Sequence, residues 1–181
     1  MTDTIGDHQL TEAVESLSRL LRARSMSITT VESCTGGMLG AAITDHAGSS
    51  DIFPGGFITY SNRLKQSLAG VAAETLDDHG AVSAPTAIEM ARGGRARLGG
   101  DLTISITGIA GPGGGSEHKP VGTVWVCVDG PGDAVDCRRF VFPGDRASVR
   151  LTTAISVLRM AIQQLNGRAH TLDHEHERYD G

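Results

Sequence analysis

Cysteine, lysine and long apolar runs are all scarce in this chain of 181 residues. No run of about 18 apolar residues occurs, so no membrane-spanning helix is expected. The N-terminal MTDTIGDHQL lacks the basic and then apolar stretches of a secretory signal, which points to the cytoplasm. The three cysteines, Cys34, Cys127 and Cys137, are odd in number and without metal-ligand spacing. Neither a disulfide framework nor a zinc site is therefore expected. A net charge of −5 and the lack of a basic run argue against a dedicated nucleic-acid binder. No linker or internal repeat is visible. Lysine occurs only at Lys65 and Lys119, against 14 arginines. A buried lysine can give up its proton near neutral pH and an arginine cannot, so both lysines invite inspection.

What is plentiful is glycine: 24 residues, about 13% of the chain against a usual ~7%. The glycines cluster at Gly36-Gly37, Gly55-Gly56, Gly93-Gly94 and Gly111 to Gly115, as tight turns and close backbone approaches require. Apolar residues at 39% and charged residues at 20% fit an ordinary globular composition.

Apolar periodicity predicts helices over Leu10–Arg24, Met38–Thr44, a short stretch from Asn62 (as cap) to Leu68, Glu74–Asp78, Pro85 towards Leu98, and Ala147–Leu165. Strands are predicted over Met26–Val31, Gly56–Tyr60, Leu102–Ile106, Val121–Val128 and Val135–Phe142. The last two read as a hairpin around Asp129-Gly130-Pro131-Gly132. Helices alternating with apolar strands and closing on a hairpin predict one domain, a three-layer α/β/α sandwich with a mixed sheet, over residues 1–167. Residues 168–181 are polar and aperiodic and are expected to be disordered. Their His170, His174 and His176 could bind a metal, although a solvated tail is the plainer reading.

Four motifs could carry chemistry. VESCTGG places hydroxyls and backbone N–H groups between a strand and a helix N-terminus, which suits a phosphate or a developing oxyanion. A Ser/Thr N-cap with close-packed glycines explains the same residues. GGFITYSNRLK brings Tyr60, Asn62 and Lys65 just past a strand, where α/β sheets usually carry sites; the rival is an exposed lysine on a surface helix. SITGIAGPGGG is neither a P-loop nor a dinucleotide fingerprint, and is either a ligand-wrapping loop or a mobile connector. FPGDRASVR lets Gly144 or Asp145 cap the last helix and sets Arg146 at its start, to meet an anion or simply solvent.

VESCTGG, AGSSDIF, GGFITYSNRLK, GAVS, SITGIAGPGGG, KPVGTVWV and GDR, in this order, closely resemble the CinA C-terminal-domain family from about Leu10 to Leu165. Members of that family act as nicotinamide-nucleotide amidohydrolases, converting nicotinamide mononucleotide to nicotinate mononucleotide and ammonia. The resemblance implies a compact α/β/α homodimer with a Ser–Lys pair and neither metal nor cofactor. Only a short leader precedes Leu10, so the form without the family's additional N-terminal domain is expected. Matched motif by motif, Ser33 is the nucleophile and Lys65 the base, with Tyr60 beside them as a proton relay or ammonium holder. Thr35, Gly36, Ser49, Ser50, Thr107, Gly108 and Arg146 would bind the substrate. Val31 stands where the family usually has alanine, and the histidine-rich tail has no family counterpart.

An unaided serine is a poor nucleophile, so Lys65 must be neutral, which requires desolvation or a neighbouring cation. Oxyanion donors are expected at the Cys34 amide or in the Gly36-Gly37 turn. Cys34 is a rival nucleophile if the helix terminus activates its thiol. A catalytically silent nucleotide-binding or interaction module of the same fold is the alternative from another class.

Overall fold

In a computed structural model of the chain, which describes residues 5–131, 135–167 and 177–178, the first strand, β1 (Ile28–Glu32), is buried at every position. β3 (Leu102–Gly108) is buried along almost its whole length and β4 (Thr123–Asp129) nearly so. Strands of this kind belong to a sheet covered on both faces. β2 (Gly55–Ile58) and β3 flank β1, both parallel to it. β4, β5 (Asp136–Val141) and the two-residue β6 (Glu177–Arg178) follow antiparallel, in the order β2-β1-β3-β4-β5-β6. The mixed sheet is as expected.

Alternation along the strands sorts the helices into two layers. α1 (Ile5–Ala23), α2 (Met38–Thr44) and α6 (Arg146–Leu165) cover one face. There Leu17, Leu21, Leu39, Val149 and Val157 pack on Ile28, Ile104 and Val126. The other face takes α3 (Asn62–Ala69), α4 (Ala73–His79) and α5 (Ala84–Leu98). The sheet offers hydroxyls as well as apolar groups on this side. Ser105 satisfies its own by donating to the Ala87 carbonyl at 2.6 Å. α5 lies close because Gly93 and Gly94 face its neighbours: a methyl on Gly94 would stand 2.3 Å from Val31, and one on Gly93 1.6 Å from the Ala69 carbonyl oxygen.

The hairpin of β4 and β5 sets Cys127 opposite Cys137, and a disulfide joins them. The expectation of unlinked cysteines is corrected for this pair. A separation of ten residues says nothing about bonding until the strand register is known. Cys34 is free and buried. No helix among the described residues is long and apolar enough to cross a membrane. His170, His174 and His176 lie outside the described residues.

Candidate active site

The carboxyl ends of β1, β2 and β3 lie together because the three strands are parallel. The chain steps from β1 to β2 on one side and returns across β1 to β3, and a crevice opens where the order reverses. Ser33, Thr59-Tyr60 and Thr107-Gly108 all stand at that end.

Ser33 follows β1 directly, and its amide extends the ladder to the Ile106 carbonyl at 3.0 Å. α3 starts just after β2. Its cap is Ser61, whose hydroxyl accepts from the Leu64 amide at 3.3 Å, rather than Asn62 as expected. This start turns Lys65 inward, where it is 2% exposed. Its Nζ donates to Ser33 Oγ at 2.9 Å and to the Thr59 carbonyl at 2.8 Å. Burial lowers the lysine pKa from 10.5 to about 8. A neutral lysine at hydrogen-bond distance can take the serine's proton.

Ser33 and Lys65 line a cleft of about 280 Å³, together with Tyr60, Asn62, Thr107, Gly108 and Arg146. Arg146 donates to the Tyr60 hydroxyl at 2.8 Å and to the Gly111 carbonyl at 3.0 Å. Tyr60 is 58% exposed and stands at the rim, while Lys65 is held by Ser33 and Thr59. Thr107 turns its hydroxyl to the Ala81 carbonyl at 2.6 Å. A larger groove of about 630 Å³ between α1, α2 and α6 contains no such serine–lysine pair.

Other expected site residues are not brought together with Ser33. Ser49 and Ser50 lie in a 3-10 turn ending next to Ile52, whose carbonyl bonds the first residue of β1. Within the chain they are therefore at the opposite end of that strand, roughly 17 Å away at ~3.3 Å per residue. Thr35 is buried, and its carbonyl faces Arg150 on α6. Gly36 is exposed outside the cleft lining.

The α2 N-terminus is also occupied. The buried carboxylate of Glu32 accepts the amides of Gly37, Leu39 and Gly40 at 3.0, 3.1 and 2.8 Å. Those donors are closed to a substrate anion, and neither Ser33 nor Thr35 is the cap of that helix. Gly36 gives its amide to the Ser33 carbonyl at 3.0 Å, so that amide is also taken. Burial raises the Cys34 thiol to about 11, which opposes formation of the thiolate that a cysteine nucleophile needs. Glu32, Arg150 and the Ala81-Val82 wall were not assigned from sequence, whereas Asn62 lines the cleft beside Tyr60 and Lys65, with which its motif groups it. An acidic residue closing the β-branched run Ile28-Thr29-Thr30-Val31 was the available signal for Glu32, and GAVS was the signal for the wall.

Among the described residues, no group of three or more His, Cys, Asp or Glu is placed to hold a metal. What the fold and cleft define is an α/β/α protein with a buried serine–lysine pair at the carboxyl ends of its parallel strands. The chain belongs to the CinA C-terminal domain family, whose model matches residues 10–165. It is 47% identical over 159 residues to the nicotinamide-nucleotide amidohydrolase PncC of Escherichia coli K12, covering 87% of this chain and 96% of that protein. A CinA-like protein of Mycobacterium sp. is 51% identical over 140 residues, 76% of this chain but 33% of the longer relative. Among solved structures, the competence/damage inducible protein CihA of Agrobacterium tumefaciens superposes with TM-score 0.84 at 38% identity, covering 87% of this chain and 96% of that one. A CinA-superfamily protein of Klebsiella pneumoniae gives TM-score 0.84 at 34% identity, covering 88% and 99%.

Proposed function

We propose that this chain hydrolyses the carboxamide of nicotinamide mononucleotide to nicotinate mononucleotide and ammonia, with Ser33 as nucleophile and Lys65 as base. The observation that carries the reading is the 2.9 Å contact between Lys65 Nζ and Ser33 Oγ in a buried setting. The name and 47% identity of the Escherichia coli relative supply the substrate.

Neutral Lys65 takes the hydroxyl proton as Ser33 Oγ attacks the carboxamide carbon. The carbonyl oxygen becomes an oxyanion, and the amide of Cys34, the residue after the nucleophile, is assigned as its donor. As the C–N bond breaks, Lys65 returns the proton to the leaving nitrogen, and ammonia departs. Water then attacks the acyl-enzyme ester, giving its proton to Lys65, which passes it to Ser33 Oγ as the carboxylate leaves. Arg146 at the rim supplies the fork of donors that a 5′-phosphate needs, with Tyr60 held beside it. A homodimer and a cytoplasmic setting accompany this reading on the strength of the family resemblance.

The test is incubation of purified protein with nicotinamide mononucleotide, following ammonia and nicotinate mononucleotide together. Stoichiometric release of both is expected. Tight binding with no release would favour the silent module, and equal turnover of free nicotinamide would remove the nucleotide from the specificity.

A further inference from the structure

We propose that Arg150 is a positioning residue for the nucleophile: from α6 it fixes the Thr35–Gly36 peptide and, through it, the turn that presents Ser33. The inference rests on the reading of Ser33 as nucleophile.

Arg150 is half-buried, and its Nη2 and Nε donate to the Thr35 carbonyl at 2.6 and 3.2 Å. The Met38 amide reaches the same oxygen at 3.2 Å. At the other end of that peptide plane, the Gly36 amide donates to the Ser33 carbonyl at 3.0 Å. One rigid unit thus links the guanidinium to the serine's own main chain.

The peptide needs such an anchor because Gly36 and Gly37 follow it at φ +60° and +93°. Glycine takes either sign of φ with little preference, so the plane is free to rotate unless something outside the turn holds it. Rotation would withdraw the Gly36 amide from Ser33 and release the serine from its place beside Lys65. Glu32 holds the far half of the turn through Gly37, Leu39 and Gly40, but none of those contacts touches the Thr35 carbonyl. A guanidinium suits the task, since its fork puts two donors on one oxygen and an ammonium cannot do so with the same fixed geometry. Arg150 is not part of the cleft lining, so it acts through the turn rather than on the substrate.

The position of Ser33 bears on the chemical step, whereas the phosphate is assigned to Arg146 in the reading on which this inference rests. A displacement of about 1 Å in a reacting group is worth about 10²-fold.

The experiment uses the full chain with Arg150→Ala and Arg150→Lys, alongside wild type and Ser33→Ala. It measures kcat and KM on nicotinamide mononucleotide, with and without methylguanidinium, and the rate at which a fluorophosphonate labels Ser33. For Arg150→Ala, kcat should fall about ten- to a hundredfold with KM changed by no more than about twofold. Labelling of Ser33 should slow in parallel. Methylguanidinium should restore part of both, and nothing in Ser33→Ala. Arg150→Lys should lie between. Wild-type kcat in folded Arg150→Ala overturns the proposal, as does a raised KM with kcat kept. If the alanine variant does not fold, folded Arg150→Lys with wild-type kcat and labelling rate overturns it instead. A wild type that releases no ammonia but labels at Ser33, slowly in the Arg150 variants, removes the substrate reading and supports the positioning role. Failure of the wild type to label at Ser33 overturns both.

Discussion

Arg146 and Tyr60, 86 residues apart in the chain, meet at 2.8 Å across the mouth of the cleft, the guanidinium donating to the phenol oxygen. The first helical residue of α6 is thereby joined to the end of the β2 segment. The same guanidinium holds the Gly111 carbonyl at 3.0 Å, so the glycine-rich loop closes against it. Loss of the side chain removes the proposed phosphate donor and frees both the Tyr60 hydroxyl and the Gly111 carbonyl. Arg146→Ala should raise KM for the mononucleotide more than it lowers kcat, with kcat/KM down about ten- to a hundredfold. Nicotinamide riboside, which lacks the phosphate, should be a poor substrate for both proteins. Equal impairment on riboside and mononucleotide would make Arg146 a structural residue only.

Ser33→Ala and Lys65→Ala should each remove most of the ammonia release. The double variant should be scarcely worse than either single one, because two groups acting on one proton lose their effect together. Circular dichroism should show all three folded. Additive losses would count against the pairing. Persistent turnover in Ser33→Ala that disappears in Cys34→Ala would transfer the nucleophile to the thiol, against its high pKa.

The pH profile follows from the sign of the Lys65 shift. Its pKa is lowered to about 8, and only the neutral amine accepts a proton, so the active form grows as pH rises through that value. kcat/KM should climb about tenfold per pH unit below about pH 7 and level off above about pH 9. Lys65→Arg, charged throughout, should be inactive at every pH. A rate that falls between pH 7 and 9 would exclude Lys65 as the base.

Gly93→Ala should destabilise the fold without touching the cleft. The added methyl would stand 1.6 Å from the Ala69 carbonyl oxygen, and α5 would have to move away from α3. Overpacking of this type costs about 1–3 kcal/mol, read as a lower midpoint in urea. An unchanged midpoint would mean that the two helices separate freely.

Apolar periodicity was enough to find the elements that build the sandwich, from the buried β1 to the long α6. Their ends were less legible. Ser61 and Asn62 are both good caps, and only the inward turn of Lys65 in three dimensions selects the serine. Lys65 itself stood out through lysine scarcity and motif resemblance, although its low exposure depends on how α3 packs against α5 and β2. Glu32 was passed over because a carboxylate at a strand end gives no hint of which amides it will find. The Cys127–Cys137 link needed strand register, which composition does not contain. Ser49 and Ser50 sit in a recognisable motif, yet the path of the chain carries them to the far end of β1.

α6 contributes Arg146 to the rim and Arg150 to the serine turn, and its end is tied to the start of the domain by the Arg24 guanidinium on the Leu165 carbonyl at 3.0 Å. A chain emerging from the ribosome has therefore made Ser33 and Lys65 long before it owns the helix that completes their surroundings. Partial products of translation, and chains cut ahead of residue 146, would carry the reacting pair without the parts that shape it. Turnover should begin only when α6 docks, which makes activity itself a signal that this helix is in place.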